Sequence, residues 1–403
     1  MASKKTSDRT ITDNTIREIA LRIVAEEGPD ALSLPRVAAV GGLTSGPLYR
    51  RFDTGADLAS DLWRADIGPY FRRVATTAVD WLTGDSTDAE WLTRDLLEPG
   101  LQPRALIGLL VVARRLGPQG EDVSSDIRTT LERSLDEAAT LPPPIVIAHM
   151  APIIGAWLLE PISDVLSGAV VSERAAFAEE YRKSKHWAMS SADIPYQPPS
   201  PPTLASGDPT MDDLRSATVR VVSRYGCAGA TSNRISREAD RSITPAYRRL
   251  GSKEGLIADS IGAALSLDFG FTASPGAAAM PFSKADRLTR MLQVLRNQIH
   301  SDNRANRAFL IECLLAARHE PLIKANARHW IENAGSQFRE AVQRLGLADE
   351  RVSSTLQARW GFRIASGLGG LVLSMAAPSV FDRLDPMPVT SASDTVGLAP
   401  IQG

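Results

Sequence analysis

The sequence has little cysteine. Only Cys227 and Cys313 occur among its 403 residues. Their spacing fits no metal-ligand motif and argues against a disulfide framework. We therefore interpret each as a small buried residue and not as a reactive thiol.

An excess of basic charge is also missing, and so are long apolar runs. Lys and Arg number 45 and Asp and Glu 47, so the net charge at pH 7 is −2. The N-terminus (M-A-S-K-K-T-S-D-R) lacks the apolar stretch of a signal peptide. The most apolar segment, Pro144–Ile162, contains His149 and Pro152, which favours a buried core helix over a membrane span. These absences predict a cytoplasmic protein with no membrane partner. They leave DNA binding open, because a local cluster of positive charge suffices for it.

Motifs of catalysis are absent as well. There is no phosphate-binding glycine loop, no paired metal-ligand motif and no nucleophile-elbow sequence. The five histidines are scattered and form no evident constellation. The sequence therefore predicts a protein that is not an enzyme and has no cofactor and no metal ion.

What the sequence does contain is one short module twice, 198 residues apart. The first copy runs from Gly28 to Phe52 and the second from Gly226 to Leu250, with no gap between them. Both copies have Gly at the start, Arg eight residues later, and a shared P-x-Y-R-R motif. A two-fold repeat at this distance indicates a fused pair of domains and not a solenoid.

Apolar residues recur at helical spacing almost throughout, and no β-alternation is present. We therefore predict an all-α fold of two tandem units, each with a small three-helix domain and a larger all-helical domain. The predicted boundaries are 10–60 and 61–188 for the first unit, 189–212 for a Pro-rich linker, 213–258 and 259–386 for the second unit, and 387–403 for a disordered tail.

Each copy of the module has the pattern of a helix-turn-helix. Ser33 can cap a first helix that Gly41–Gly42 ends, and Thr44 can cap a very short second helix. Two short helices joined in this way suit placement of the second in a major groove. The small residues at its start leave room for base edges, while Tyr49 and Arg50 offer groups for phosphates.

The pattern I/V-A-x-x-x-G-L/V-T/S-x-G/T-x-L-Y-x-x-F, followed by a capped helix, resembles the DNA-binding domain of TetR/AcrR-type bacterial transcriptional regulators. The resemblance covers Ile16–Leu62 and, more loosely, Leu214–Ile261. It implies a homodimeric repressor with a helical regulatory domain, in which a small molecule releases the DNA. Because both halves lie on one polypeptide here, the chain resembles a covalent, intramolecular pseudo-dimer.

Double-stranded DNA is thus the predicted partner. The candidate contacts of the first copy are Ser33, Arg36, Thr44, Ser45, Gly46, Pro47, Tyr49 and Arg50. Those of the second copy are Thr231, Arg234, Ser242, Ile243, Thr244, Pro245, Tyr247, Arg248 and Lys253. Lys253 is included because the family often places a lysine on a phosphate at the start of the fourth helix.

The two copies differ at informative positions. Asp240 replaces Gly42, and Arg241 replaces the aliphatic Leu43, so this arginine must snorkel or point outwards. We therefore predict two non-identical DNA-reading surfaces and an operator that is an imperfect palindrome. In the alternative, one or both modules are degenerate, and the chain binds a small molecule or a protein.

A small apolar effector is the second predicted partner. Trp63, Trp81, Trp91, Tyr70 and Phe71 could line a pocket in the first regulatory region, or could be simply core. His149, Arg114 and Arg115 are candidates for polar contacts with such a ligand.

The interface between the two units is predicted at two apolar helices, Ile145–Leu159 and Thr355–Leu373. Small residues in Ala365–Gly370 allow the close approach of a neighbouring helix.

Overall fold

The computed structural model describes residues 12–84, 90–137, 143–163, 166–175, 207–268, 304–344 and 350–381. Within these ranges the regular structure is helical and contains no strand, which confirms the all-α prediction. The first half (12–175) contains α1 (Asp13–Glu27), α2 (Leu34–Gly41), α3 (Ser45–Tyr49), α4 (Gly55–Leu62), α5 (Gly68–Thr83), α6 (Glu90–Leu97), α7 (Leu101–Val112), α8 (Pro118–Glu137), α9 (Pro143–Leu159) and α10 (166–175).

The second half (207–381) contains the remaining described helices. It contains α11 (Pro209–Gly229), α12 (Ser232–Ala239), α13 (Thr244–Leu250), α14 (Lys253–Asp268), α15 (Arg304–Ala316), α16 (Pro321–Arg344), α17 (Glu350–Ala376) and α18 (Pro378–Phe381). Most of the predicted linker and the whole predicted tail lie outside the described residues. Helix α11 begins at Pro209, inside the range assigned to the linker, with the Asp208 carboxylate as its N-cap.

No single helix of the described part is long and apolar enough to cross a membrane. Two consecutive segments, Glu90–Leu97 and Leu101–Arg115, reach the required length and composition only when taken together, and a bend of 76° separates them.

Side-chain caps set the helix starts of both modules. The Ser33 hydroxyl accepts a hydrogen bond from the backbone N–H of Arg36, and Thr231 accepts one from that of Arg234. Thr54 begins α4 with a capping box, because its hydroxyl accepts from the Asp57 N–H and the Asp57 carboxylate accepts from the Thr54 N–H. The predicted caps at the start of α2 and α4 are confirmed.

The turn of the helix-turn-helix has the same backbone in both halves. Gly42 ends α2 at φ 61°, and Asp240 ends α12 at φ 50°. In each case the next residue donates its N–H to the carbonyl five positions back, at 2.8 Å for Leu43 and 3.2 Å for Arg241. This bond identifies a Schellman-type helix end, which needs a left-handed residue at that position.

One ion pair recurs in both halves at the 198-residue spacing. Arg17 on α1 pairs with Asp61 on α4 at 2.9 Å, and Arg215 on α11 pairs with Asp259 on α14 at 2.6 Å. Each pair ties the first helix of its module to the fourth. The two modules thus share this ion pair and the left-handed turn, and we call this common arrangement the module frame.

The two halves pack most extensively through α9 and α17, the two apolar helices that the sequence placed at the interface. A Cβ added at Gly155 would run into the carbonyl of Ala365, and one added at Gly369 would run into that of Ala151. The contact is therefore reciprocal: equivalent residues of the two helices exchange the same close approach. Such reciprocity is the pattern of an isologous interface.

A second reciprocal contact lies at the ends of α1 and α11. His319 of the second half packs on Gly28 of the first, and Arg115 of the first packs on Gly226 of the second. Both glycines have positive φ, 90° and 72°, which leaves room for the side chain of the opposite half. The larger helical region of each half thus touches the helix-turn-helix module of the other half.

Candidate nucleic-acid interface

In the first module, α3 presents its predicted contacts to solvent. Thr44, Ser45 and Gly46 at its start are exposed, and Pro47 is half-buried. Leu48 is fully buried in the core of the module and fixes the orientation of this short helix. The α3 surface is therefore a small, exposed ridge anchored by one leucine.

Three groups on this ridge are available to a partner. The backbone of Thr44 has the N-cap conformation, but its hydroxyl makes no capping hydrogen bond. Tyr49 is 53% exposed. Arg50 is exposed and forms no ion pair within the described ranges, whereas its neighbour Arg51 pairs with Asp13 at 2.7 Å. The phenol and guanidinium are thus placed as phosphate contacts require.

Ser33 and Arg36 are already engaged with the protein. Ser33 caps α2, and the Arg36 guanidinium makes two hydrogen bonds to the Glu27 carboxylate, at 2.7 and 2.8 Å. This bidentate contact lowers the pKa of Glu27. Arg36 remains exposed. Because its guanidinium is bound to Glu27, a phosphate could bind it only by displacing that carboxylate.

In the second module, α13 carries the corresponding ridge. Ser242, Thr244 and Arg248 are exposed, while Ile243 and Pro245 are half-buried. The Ser242 hydroxyl accepts a hydrogen bond from the N–H of Thr244 at 3.3 Å, so the start of this helix is locally closed. Within the described part of the chain, Arg248 forms no ion pair.

The rest of the second set is tied to the protein. The Tyr247 hydroxyl is hydrogen-bonded to that of Ser232, and the ring is half-buried. Arg234 donates to the carbonyl of Gly229 at 2.6 Å, and its guanidinium lies 4.4 Å from the centre of the Tyr225 ring. Tyr247 is therefore less exposed than its counterpart Tyr49 in the first module. Arg234 is bound to a backbone carbonyl, whereas its counterpart Arg36 is bound to a carboxylate.

Lys253 lies at the start of α14, as expected, but its ammonium points into the protein. It donates to the carbonyl of Cys227 at 3.4 Å and lies 3.3 Å from the Glu254 carboxylate. A phosphate contact would require this side chain to leave both partners. The sequence identified the position but not these partners.

Arg241, which replaces Leu43 in the second module, does not enter the core of that module. The side chain points outwards, half exposed, and pairs with Asp213 on α11 at 3.0 Å. The prediction that it cannot occupy the aliphatic site of Leu43 is confirmed.

A junction that the sequence did not predict joins the two modules to the larger helical regions. Arg115 follows α7 and binds three partners: Asp30 of the first module at 2.8 Å, the Tyr225 carbonyl of the second at 3.2 Å, and Glu312 on α15 at 2.9 Å. Arg114 also pairs with Glu312, at 2.8 Å. These arginines, expected as ligand contacts, instead hold the two halves together.

Glu312 is the most enclosed member of this junction. Its side chain is 2% exposed, and burial raises the pKa of its carboxyl to about 7, although the two arginines oppose the shift. Nothing in the sequence identified which carboxylate would face the two arginines.

The two cysteines are both buried, as predicted, and they lie together. The Sγ atoms of Cys227 and Cys313 are 3.9 Å apart, and burial raises the pKa of the Cys313 thiol. Within the described residues, no group of three or more His, Cys, Asp or Glu side chains is arranged to hold a metal ion.

Most of the predicted aromatic cluster is core. Tyr70 packs against Trp91 and Trp157, and its hydroxyl donates to Asp95 at 2.7 Å. Trp63 packs against Phe71 in the same region. Trp81 is separate from this group and lies beside His149 and Arg174.

Comparison with known proteins gives one partial similarity. A stretch of 63 residues, 16% of this chain, is 33% identical to the HTH-type transcriptional regulator AcrR of Shigella flexneri. The similar region spans 29% of AcrR, less than a third of its length. No protein-family model matches the chain. Over that part of the chain, the similarity agrees with the TetR/AcrR-type resemblance of the sequence motifs.

Proposed function

We propose that this protein is a sequence-specific DNA-binding transcriptional regulator. Its two helix-turn-helix modules, carried on one chain as an intramolecular pseudo-dimer, read the two unequal halves of an imperfect palindrome. A small-molecule effector bound in a helical regulatory domain releases the DNA, and the protein acts as a repressor, which is the role that the TetR/AcrR-type resemblance implies.

The observation that carries this proposal is the repeated module frame with an exposed α3 or α13 ridge. Each ridge is anchored by a fully buried residue, Leu48 or Ala246, and each presents an exposed arginine, Arg50 or Arg248. An isologous arrangement of two such ridges is how dimeric regulators address two half-sites, one turn of DNA apart.

The junction at Arg115 supports a route for regulation. This one side chain contacts both DNA-binding modules and the buried Glu312 of the opposite regulatory region. A shift of α7 would therefore change the contacts of both modules at once. Since DNA binding depends on the separation of the two ridges, such a shift is sufficient to couple an effector to release.

A second candidate function follows from the engaged side chains of the second module. Tyr247, Arg234 and Lys253 all have partners within the protein. If they keep these partners, the second module only supports the first, and the chain reads a single half-site.

The proposal is tested by selecting fragments from a genomic DNA pool with the purified protein. One enriched fragment is then footprinted at two salt concentrations, and the mass of the complex is measured. We expect two unequal protected segments on one face of the DNA, one chain per site, and an affinity that falls steeply with salt because phosphate contacts release counterions.

Protection of one segment only would favour the second candidate function. A symmetric site occupied by two chains would contradict the single-chain arrangement. A protein that enriches no fragment, even with no effector present, would contradict DNA binding altogether.

A further inference from the structure

We propose that the first regulatory region contains a binding site for a small organic carboxylate, anchored by Arg174. The proposal gives the effector of the proposed function a chemical class, and it rests on that function for its regulatory meaning. The binding itself can be tested with no DNA present.

Arg174, on α10, is fully buried, with 0% of its surface exposed. Among the residues that the structure describes, its two terminal nitrogens, Nη1 and Nη2, have no hydrogen-bond partner. A guanidinium does not lose its proton in proteins, and a buried cation without a counter-charge is strongly unfavourable. The side chain is therefore arranged to receive an anion.

Other largely buried arginines of the chain have a carboxylate partner, and comparison with them shows that Arg174 differs. Arg115 pairs with Asp30 and Glu312, Arg215 with Asp259 and Arg318 with Glu160. Within the described residues, no carboxylate lies at ion-pair distance from Arg174, and burial is what lowers its pKa. The counter-charge must come from outside the described chain.

The surroundings of Arg174 fix the direction from which an anion can bind. Its Nε–H donates to Nε2 of His149 at 3.1 Å, and its guanidinium lies 3.8 Å from the centre of the Trp81 ring. His149 is fully buried, and burial together with Arg174 lowers its pKa well below the usual value, so the imidazole is neutral. The histidine therefore orients the guanidinium but does not balance its charge.

With Nε occupied, the two terminal nitrogens form the free edge of the fork. This edge matches the two oxygens of a carboxylate, which can accept two parallel hydrogen bonds. One fixed cation beside a neutral histidine suits a monoanion better than a phosphate dianion.

The aromatic wall indicates the rest of the ligand. Trp81 is half-buried, and its ring meets that of His149 edge-on, with centroids 5.5 Å apart. An apolar or aromatic body could lie against this wall while its carboxylate reaches Arg174. The sequence predicted a small apolar effector, and the structure adds an acidic group to that expectation.

The site also lies on the element that joins the two halves. His149 belongs to α9, the helix that packs against α17 through Gly155 and Gly369. Since Arg174 is hydrogen-bonded to His149, an anion that shifts the guanidinium would act on the orientation of α9. This is the step that would connect binding to the DNA-reading modules.

The test measures the melting temperature of the full chain with a panel of benzoate, salicylate, indole-3-acetate and octanoate. Each acid is paired with its neutral amide, and sodium chloride and inorganic phosphate at equal ionic strength serve as anion controls. The variants are Arg174→Met, Arg174→Lys and, as a matched control, Arg133→Met, which alters an exposed arginine on α8.

We expect at least one acid to raise the melting temperature of the wild type by about 3 °C or more at saturation, while its amide and the inorganic salts do not. Arg133→Met should keep this shift. Arg174→Lys should reduce it at least tenfold in apparent affinity, and Arg174→Met should abolish it while melting higher than the wild type with no ligand present, because the unbalanced charge is gone.

The proposal is overturned if no acid of the panel stabilises the protein, if an acid and its amide act alike, or if Arg174→Met responds as the wild type does. The acid and amide comparison on the unaltered protein remains decisive even if a variant fails to fold. Because no DNA is used, failure here would leave the proposed DNA binding standing, and failure of DNA binding would leave this site standing.

Discussion

The first and second helix-turn-helix modules share a frame but differ in the surface that they present. The ion pairs Arg17–Asp61 and Arg215–Asp259 hold the same two helices in each. Tyr49, however, is 53% exposed, whereas the corresponding Tyr247 is half-buried and bound to Ser232.

This difference separates the contacts that keep a module folded from the surface that it presents to a partner. Caps, the left-handed turn and the ion pair are satisfied inside each module, so they can be retained while the exposed ridge changes. In a symmetric homodimer a single sequence serves both ridges. When both are encoded on one chain, each can change independently, which is why we expect the two half-sites to differ.

The largest predicted effect tests the reciprocity of the two halves. Gly155→Ala and Gly369→Ala should each lower the free energy of unfolding by about 3 kcal/mol, because the added Cβ meets a backbone carbonyl of the opposite helix. Gly370→Ala is the matched control on α17: its Cβ meets nothing within 4 Å, and it should stabilise the helix slightly. Denaturant titration measures all three. Unequal losses at Gly155 and Gly369 would argue against a reciprocal contact.

The next prediction concerns Glu312, the buried carboxylate of the junction with Arg114 and Arg115. Because burial raises the pKa of Glu312 from its ordinary value near 4.5 to about 7, the folded protein holds this proton more tightly than the unfolded chain does. Its stabilising contribution is full below the ordinary value and is lost as the pH rises through about 7.

Glu312→Gln cannot titrate, so the wild type should lose up to about 3 kcal/mol relative to this variant between pH 4.5 and 8. Thermal unfolding of both proteins across that range measures the difference. A difference that stays constant with pH would show that Glu312 remains ionised throughout.

A smaller effect compares the two ion pairs. The Arg215 side chain is 11% exposed and that of Arg17 is 24% exposed, so removing the partner carboxylate leaves a more deeply buried charge in the second module. We expect Asp259→Asn to cost about 2 kcal/mol and Asp61→Asn about 1 kcal/mol. Equal losses of unfolding free energy in urea would mean that the two modules tolerate the removal of this ion pair equally well.

The smallest effect lies at the turn. Gly42→Ala should cost about 1 kcal/mol, because an L-residue is placed at φ 61°, whereas Asp240→Gly should gain a few tenths of a kcal/mol by relieving the same conformation. The two melting temperatures should therefore move in opposite directions. A stabilising Gly42→Ala would be inconsistent with the left-handed turn.

The sequence was sufficient for features that depend on neighbouring residues. Ser33 is a recognisable cap because a cap needs only the next turn of its own helix. The close approach of α9 and α17 followed from two apolar helices with small residues, since few other surfaces can bury such helices.

Features that depend on which helices face each other could not be found in this way. Glu312 meets Arg114 and Arg115 across the two halves, and Arg174 meets His149 and Trp81 from two other helices. The Lys253 side chain was expected on a phosphate from its position alone, but a nearby carbonyl and Glu254 compete for it. The ion pairs between the first and fourth helices of the modules could have been found from the sequence, because Arg17 and Asp61 recur as Arg215 and Asp259, 198 positions later.

The proposed function depends most on DNA contacts by both modules of one chain. The most direct test is hydroxyl-radical footprinting of one selected fragment with the wild type, Arg50→Ala, Arg248→Ala and the matched surface control Arg133→Ala. We predict that Arg50→Ala weakens protection of one half-site, Arg248→Ala weakens the other, and Arg133→Ala changes neither. Full protection of both half-sites by Arg248→Ala, with a loss only for Arg50→Ala, would contradict the claim and reduce the second module to a support for the first.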